Sequence, residues 1–336
     1  MEYTLIKGTG LKVSRVCLGT MTFGEQTSED EAVRIVDCAL DRGVNFFDTA
    51  DNYTGGCSEQ ILGKALEGKR ENAVIATKVT NPRGPLPNQS GQGRKHILQD
   101  IEESLRSLRT DYIDVYYLHH PDPETPAEEV IETMTGLVRS GKIRYYGLSN
   151  YSTWQCCSFI HKAREMHAIA PVVTESVYNL ITRGIEDEMV PFLNEYRMGL
   201  TVFNPIAAGL LTGKHIHERP EENTRFALNY GYEKRYFNDR NRQAVEALSA
   251  VAADNGMSIL EFSLQWLLNR PVVDSVIVGA SRYEHIVQNL SLASEKKPLD
   301  AEALRRCDEV WDTIRGQFFS YHADARPLRR PEGASR

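Results

Sequence analysis

Asp114-Val115-Tyr116-Tyr117-Leu118 is a short, largely apolar run that stops on His119. Seven other runs end in the same manner, on a small or polar residue able to do chemistry. Val16-Cys17-Leu18 leads into Gly19-Thr20, Val44-Asn45-Phe46-Phe47 ends at Asp48, and Ala73-Val74-Ile75-Ala76-Thr77 ends at Lys78. Tyr145-Tyr146-Gly147-Leu148 ends at Ser149-Asn150, Val172-Val173-Thr174 at Glu175, Leu200-Thr201-Val202-Phe203 at Asn204, and Val276-Ile277-Val278 at Gly279-Ala280-Ser281. Counted from Thr20, the ends fall at 48, 78, 119, 150, 175, 204 and 281, in steps of 28, 30, 41, 31, 25, 29 and 77. One strand, one helix and two loops occupy about 30 residues in a βαβ unit. Eight such units predict an α/β fold, a closed (β/α)8 TIM barrel whose strands present catalytic groups at their C-terminal ends.

The segments between the runs agree. Leu5 to Val13, with Gly8 and Gly10, reads as an N-terminal hairpin closing the bottom of the barrel. Gly8-Thr9-Gly10 lacks the third glycine and the preceding strand of a dinucleotide fingerprint. Ser28-Glu29-Asp30-Glu31 is a capping box opening a helix to Arg42, with Gly43 as its stop. Further helices are expected over Arg94–Leu108, from Thr125-Pro126 to Ser140, and over Arg240–Asn255, Ile259–Leu268, Arg282–Leu292 and Ala301–Ile314. The last of these adds C-terminal helix beyond the barrel. Long loops follow strands 3 and 7, at Thr80–Gly93 and Ala207–Asn238. Loops of that length in compact domains are usually functional or disordered. Residues 1–322 are expected to form one barrel domain, and residues 323–336, rich in arginine, a disordered tail.

The chain has 336 residues, 41% hydrophobic and 25% charged, with net charge −7. That balance speaks against a nucleic-acid or membrane-surface binder. No basic-then-apolar leader and no run of about 20 apolar residues is present, so neither secretion nor membrane insertion is expected. The six cysteines include no CxxC spacing, which predicts no metal site and reduced thiols in a cytoplasmic protein.

Asp48, Tyr53, Lys78 and His119 should converge at the strand ends. Each type has a task in carbonyl reduction. A hydride delivered to a carbonyl carbon leaves an alkoxide that needs a proton, and a tyrosine hydroxyl can donate it. An adjacent ammonium, Lys78, should lower the tyrosine pKa from its usual value of about 10. Asp48 would hold Lys78, and His119 would hydrogen-bond the carbonyl oxygen.

These residues, together with Gly19-Thr20…Phe23-Gly24, Phe47-Asp48-Thr49-Ala50-Asp51-Asn52-Tyr53, Ala76-Thr77-Lys78, Tyr112-Ile113-Asp114 to Leu118-His119, Gly147-Leu148-Ser149-Asn150, Asn204-Pro205, Gly209-Leu210-Leu211-Thr212-Gly213-Lys214 and Val278-Gly279-Ala280-Ser281, resemble the aldo-keto reductase superfamily in order, from about residue 3 to 315. The style is closer to its bacterial and potassium-channel β-subunit branches than to aldose reductase. The resemblance implies a nicotinamide cofactor bound extended across the barrel mouth without a Rossmann fold, and Asp48, Tyr53, Lys78 and His119 as a catalytic tetrad with Tyr53 as acid. It implies Thr20 and Met21 near the nicotinamide ribose, Ser149 and Asn150 at the carboxamide, and Phe203 stacked on the ring. Asn204, Pro205, Ile206, Gly209 and Lys214 would pass the pyrophosphate. Gly279, Ser281, Arg282, His285, Gln288 and Asn289 match the adenine and 2′-phosphate region, which favours NADP(H), since a helix N-terminus and an arginine both suit a phosphate.

Two features depart from the family pattern. Many members have Gln where this chain has Glu175, and Arg225 in the seventh loop is expected to fold over the cofactor. Tyr53, Tyr151, Trp154, Tyr178, Tyr230, Tyr232, Tyr236 and Phe237 are the aromatics available to shape a small-molecule carbonyl site. Two alternatives stay open at this point: a cofactor-sensing regulatory subunit like the channel β-subunits, and a barrel lyase using Lys78 as a Schiff-base amine. Self-association is open as well.

Overall fold

In a computed structural model, residues 1–214, 230–293 and 295–316 are described, without the side chains of Tyr230 and Tyr232. Two short strands, β1 (Tyr3–Leu5) and β2 (Lys12–Ser14), pair antiparallel. Gly8 turns the chain between them with φ +76°, and a Cβ there would lie 2.6 Å from the Arg197 carbonyl. Eight parallel strands then close a barrel: β3 (Val16–Gly19), β4 (Phe46–Asp48), β5 (Val74–Val79), β6 (Ile113–Leu118), β7 (Ile143–Ser149), β8 (Val173–Val177), β9 (Gly199–Phe203) and β10 (Ser275–Gly279). Each pairs with its sequence neighbour, and β10 returns to β3 through Val276↔Val16 to Gly279↔Gly19.

Side chains alternate across a strand, and the barrel sorts them into two apolar layers. Cys17, Phe46, Val74, Ala76, Val115, Tyr117, Val173 and Ile277 point inward. Ile6 and Val13 from the hairpin join this layer and fill the bottom of the barrel, as expected. Val16, Leu18, Phe47, Ile75, Tyr116 and Leu148 point outward to the helices. Gly147 leaves room for the Tyr117 ring, which would come within 2.5 Å of a Cβ at that position.

Helices Arg94–Ser107, Ala127–Arg139, Asp239–Asp254, Ile259–Leu268, Tyr283–Ala293 and Ala301–Ile314 fall where the apolar spacing put them. Helix Glu29–Asp41 begins at Ser28, whose side chain accepts the Glu31 N–H. Among the described residues, four α-helices escaped the sequence reading: Cys57–Ala65, Thr153–Glu165, Met189–Tyr196 and Tyr230–Tyr236, the last inside the segment expected as a long loop. The first starts from the left-handed Gly56 with no side-chain cap, so it carries no start signal. The second does carry one, a Ser152/Gln155 capping box. Strands β5 and β8 run past their expected ends, because Val79 pairs with Leu118 and Val177 with Phe203. The tail at 323–336 lies outside the described residues.

Candidate functional site

The alternation that fills the barrel also builds the site. Asp48 follows Phe46 by two, Lys78 follows Ala76, His119 follows Tyr117 and Glu175 follows Val173, so all four stand above the inward apolar layer. Lys78 is fully buried. Its Nζ donates to Asp48 Oδ1 at 2.6 Å and to the Thr49 carbonyl at 2.8 Å, and lies 3.5 Å from the Tyr53 hydroxyl. A second carboxylate, Glu175 Oε1, is 3.6 Å from the same ammonium. The His119 ring meets Tyr53 edge-on at 5.8 Å, and its Nδ1 is 2.7 Å from Asn81 Nδ2.

Burial sets the protonation states here. It disfavours the Lys78 ammonium, but Asp48, Glu175 and Tyr53 together outweigh it and hold the proton well above the usual lysine range. Burial, aided by the Asp48 charge, pushes Glu175 up to about 8. Asp48 is raised by burial despite Lys78. His119 is held down to about 3 by burial, then by Lys78 and His120, so its ring is neutral. Lys78 pulls the Tyr53 pKa downward as expected, but burial and the two carboxylates outweigh it, and the phenol is raised overall. The expected net lowering is therefore corrected, because a buried phenolate lacks hydration that one ammonium at 3.5 Å does not replace.

Above the buried Lys78, Asp48, Tyr53, His119 and Glu175 open on a cleft of about 710 Å³ at the barrel mouth. Thr20, Met21, Asn150, Glu175, Phe203, Asn204, Pro205, Ile206, Gly209, Gly279, Ser281, His285 and Asn289 line it along with Asp48, Tyr53 and His119. Ser149 is buried beneath it, receiving a hydrogen bond from Asn150 Nδ2 at 3.0 Å. Asn204 is committed to the protein: its side chain accepts from Ala208 N at 2.6 Å and donates to the Tyr236 hydroxyl at 2.8 Å. Asn204, Ala207 and Ala208 all have left-handed backbone, an uncommon state for alanine that marks a strained loop at this edge. Lys214, Arg282 and Gln288 are exposed and outside the lining, but Lys214 and Arg282 are close enough to help burial lower the His285 pKa. The first N–H of helix Tyr283–Ala293 is already taken by Glu31 Oε1 at 2.6 Å. Arg225 lies outside the described residues.

Sequence reasoning missed Gln26, Asn52, Asn81 and Arg235 in the lining. Asn81 sits three residues past Lys78 and two beyond the end of β5, in the loop rich in Gly, Pro and Asn, where nothing in the sequence marks it. Several expected aromatics are engaged elsewhere. Tyr151 hydrogen-bonds Gln92, Tyr178 packs on Trp266, and Trp154 is largely exposed. Among the described residues no cluster suits a metal ion and no helix is long and apolar enough to cross a membrane.

Comparisons with known proteins agree with this geometry. The sequence profile of the Aldo/keto reductase family matches residues 15–312. A protein of Oryza sativa subsp. japonica named probable voltage-gated potassium channel subunit beta is 34% identical over 317 residues, covering 92% of this chain and 96% of its own. One of the same name from Arabidopsis thaliana is 36% identical over 322 residues, with coverage of 92% and 96%. The uncharacterized oxidoreductase YrpG of Bacillus subtilis (strain 168) is 35% identical over 322 residues, with coverage of 93% and 96%.

Proposed function

The chain belongs to the aldo/keto reductase family, and from that premise we propose that it is an NADP(H)-dependent oxidoreductase reducing aldehydes or ketones to alcohols. The observation that carries the reading is the position of Lys78 Nζ, 2.6 Å from Asp48 and 3.5 Å from the Tyr53 hydroxyl, at the base of an open cleft. The cleft suits an extended dinucleotide. Asn52 Oδ1 is a buried polar atom without a hydrogen-bond partner in its lining, and Gly209 and Gly279 have open space where a side chain would stand. Phe203, Glu175, Asn150 and Thr20 would hold the nicotinamide end. Ser281, His285 and Asn289, with Arg282 and Lys214, would hold the adenosine end and its 2′-phosphate.

When bound, the reduced nicotinamide supplies a hydride to the carbonyl carbon. Tyr53 supplies the proton to the carbonyl oxygen. Its raised pKa keeps the phenol protonated across ordinary pH, and an alkoxide is a stronger base than a phenolate, so the transfer runs downhill. Lys78 stabilises the phenolate left behind, and Asp48 fixes Lys78. His119 is neutral and therefore orients the oxygen through an N–H rather than acting as the acid. A Schiff-base role for Lys78 is disfavoured, because its amine is held protonated and fully buried. The reading takes residues 1–322 as one barrel domain in the cytoplasm.

A second reading rests on the relatives named as channel β subunits: the same cleft senses the dinucleotide, and the output is contact with a membrane protein. Titration of the pure protein with NADPH and NADH by fluorescence quenching, followed by a carbonyl panel at saturating dinucleotide, separates the two. Binding with turnover supports the reductase. Binding without turnover across the panel supports the sensor, and no binding overturns both.

A further inference from the structure

Two carboxylates share one ammonium at the base of the cleft. Lys78 Nζ is 2.6 Å from Asp48 Oδ1 and 3.6 Å from Glu175 Oε1, and all three side chains are buried. With both carboxyls ionised the trio carries a net negative charge, and Asp48 Oδ2 and Glu175 Oε2 have no donor. One proton on Glu175 cures both faults: the trio becomes neutral and Glu175 can donate to Asp48. Glu175 also lines the cleft, as do Asp48 and Phe203, so its charge faces whatever occupies the nicotinamide end.

An amide in this place, as the family resemblance expects, would carry no charge at any pH. A carboxyl behaves differently toward the two forms of the dinucleotide, because the oxidised nicotinamide ring is a cation and the reduced ring is uncharged. We infer that Glu175 couples pH to the oxidation state of the dinucleotide that the site prefers, its carboxylate favouring the oxidised ring and its neutral acid the reduced one. By linkage, binding of the oxidised form expels the Glu175 proton, and binding of the reduced form retains it. The inference rests on the reductase reading of the cleft.

The surrounding groups leave Glu175 as the responsive one. Facing it are Asp48 from β4, Lys78 from β5, Tyr53 from the turn after β4, Tyr117 from β6 and Cys17 from β3. Burial raises Tyr53, Tyr117 and Cys17, so they stay neutral through the range in which Glu175 titrates, near 8. Lys78 stays charged through it, and His119 stays neutral. Thr201 on β9 and Ser149 on β7, the strand partners of Glu175, carry no charge.

The test is the dissociation constant of NADP⁺ and of NADPH, measured by calorimetry from pH 6 to 9 on the wild-type protein and on Glu175→Gln. The 2′-phosphate titrates in both forms and cancels in their ratio. In the wild-type protein the preference for NADP⁺ over NADPH should rise about tenfold across that range, the effect of an interaction worth one pKa unit. In Glu175→Gln, which keeps the shape of the side chain, the ratio should be flat. A flat wild-type ratio, or a slope that survives in Glu175→Gln, overturns the inference and leaves the reductase reading intact. Failure of either form to bind the wild-type protein at any pH overturns that reading and this inference with it.

Discussion

Asn81 Nδ2 stands 2.7 Å from His119 Nδ1. An amide nitrogen can only donate, so Nδ1 accepts and the single proton of the neutral ring resides on Nε2. The His119 main-chain carbonyl is itself held by Asn150 Nδ2 at 2.9 Å. The ring is thus fixed in one tautomer before any substrate arrives.

Asn81→Ala should release that tautomer and lower kcat for carbonyl reduction about tenfold, the effect of losing one hydrogen bond worth about 1.4 kcal/mol. The dissociation constant for the dinucleotide should stay within about twofold, a change of roughly 0.4 kcal/mol. Steady-state kinetics and a binding titration on the same preparation check this. A variant with unchanged kcat would show that Asn81 does not orient His119.

Tyr53→Phe should remove the proton donor and leave the ring packing. Loss of a general acid commonly costs about 10² to 10⁴ in rate. Dinucleotide affinity should be nearly unchanged, since Lys78 keeps Asp48 and the Thr49 carbonyl as partners. Single-turnover reduction monitored by dinucleotide absorbance is the measurement, and wild-type-like turnover would remove Tyr53 from the mechanism.

Glu175 also sets a pH dependence of stability. Its folded pKa, about 8, lies above the ordinary value of 4.5, so between those limits the folded chain binds more protons than the unfolded one. Stability must then fall as pH rises through that window, by at most about 1.4 kcal/mol per pH unit from this group. Glu175→Gln removes the contribution. Its melting temperature relative to the wild-type protein should therefore climb from pH 5 to pH 8, and thermal unfolding at the two values reads the sign directly. A relative melting temperature that falls or stays level would mean that Glu175 is ionised in the folded chain across the window.

The barrel was legible because its strands are mostly buried, largely apolar runs with chemically marked ends, and period-2 alternation fixes which end residues point inward. Asp48, Lys78 and Glu175 follow from that rule. The sign of the Tyr53 shift did not follow, because it depends on how deeply the phenol is buried and on a second carboxylate brought in from β8, 122 positions along the chain (175 − 53). Asn81 was hidden for a related reason. It lies in a loop rich in Gly, Pro and Asn, where one amide looks like any other until the turn brings it to His119. The commitment of Asn204 to Ala208 and Tyr236 is likewise a property of the strained loop and not of the strand before it.

The preference between the two nicotinamide dinucleotides turns on the far end of the cleft. There Ser281 and His285 approach each other to 3.4 Å, and Lys214 and Arg282 bring positive charge to them. Glu31 works against a phosphate at the same helix start, since its carboxylate already accepts the Tyr283 N–H. A charged hydrogen bond from an arginine to phosphate outweighs a partly screened carboxylate, and its loss costs about 1.5 to 3 kcal/mol. Arg282→Ala should therefore weaken NADPH by about tenfold or more and leave NADH within about twofold, a pattern given by direct titration of both dinucleotides. Because Arg282 is exposed, the variant should fold normally, and added salt should narrow the difference between the two proteins. Equal losses for NADPH and NADH would place Arg282 away from the 2′-phosphate and leave Glu31 to set the balance toward the dinucleotide without one.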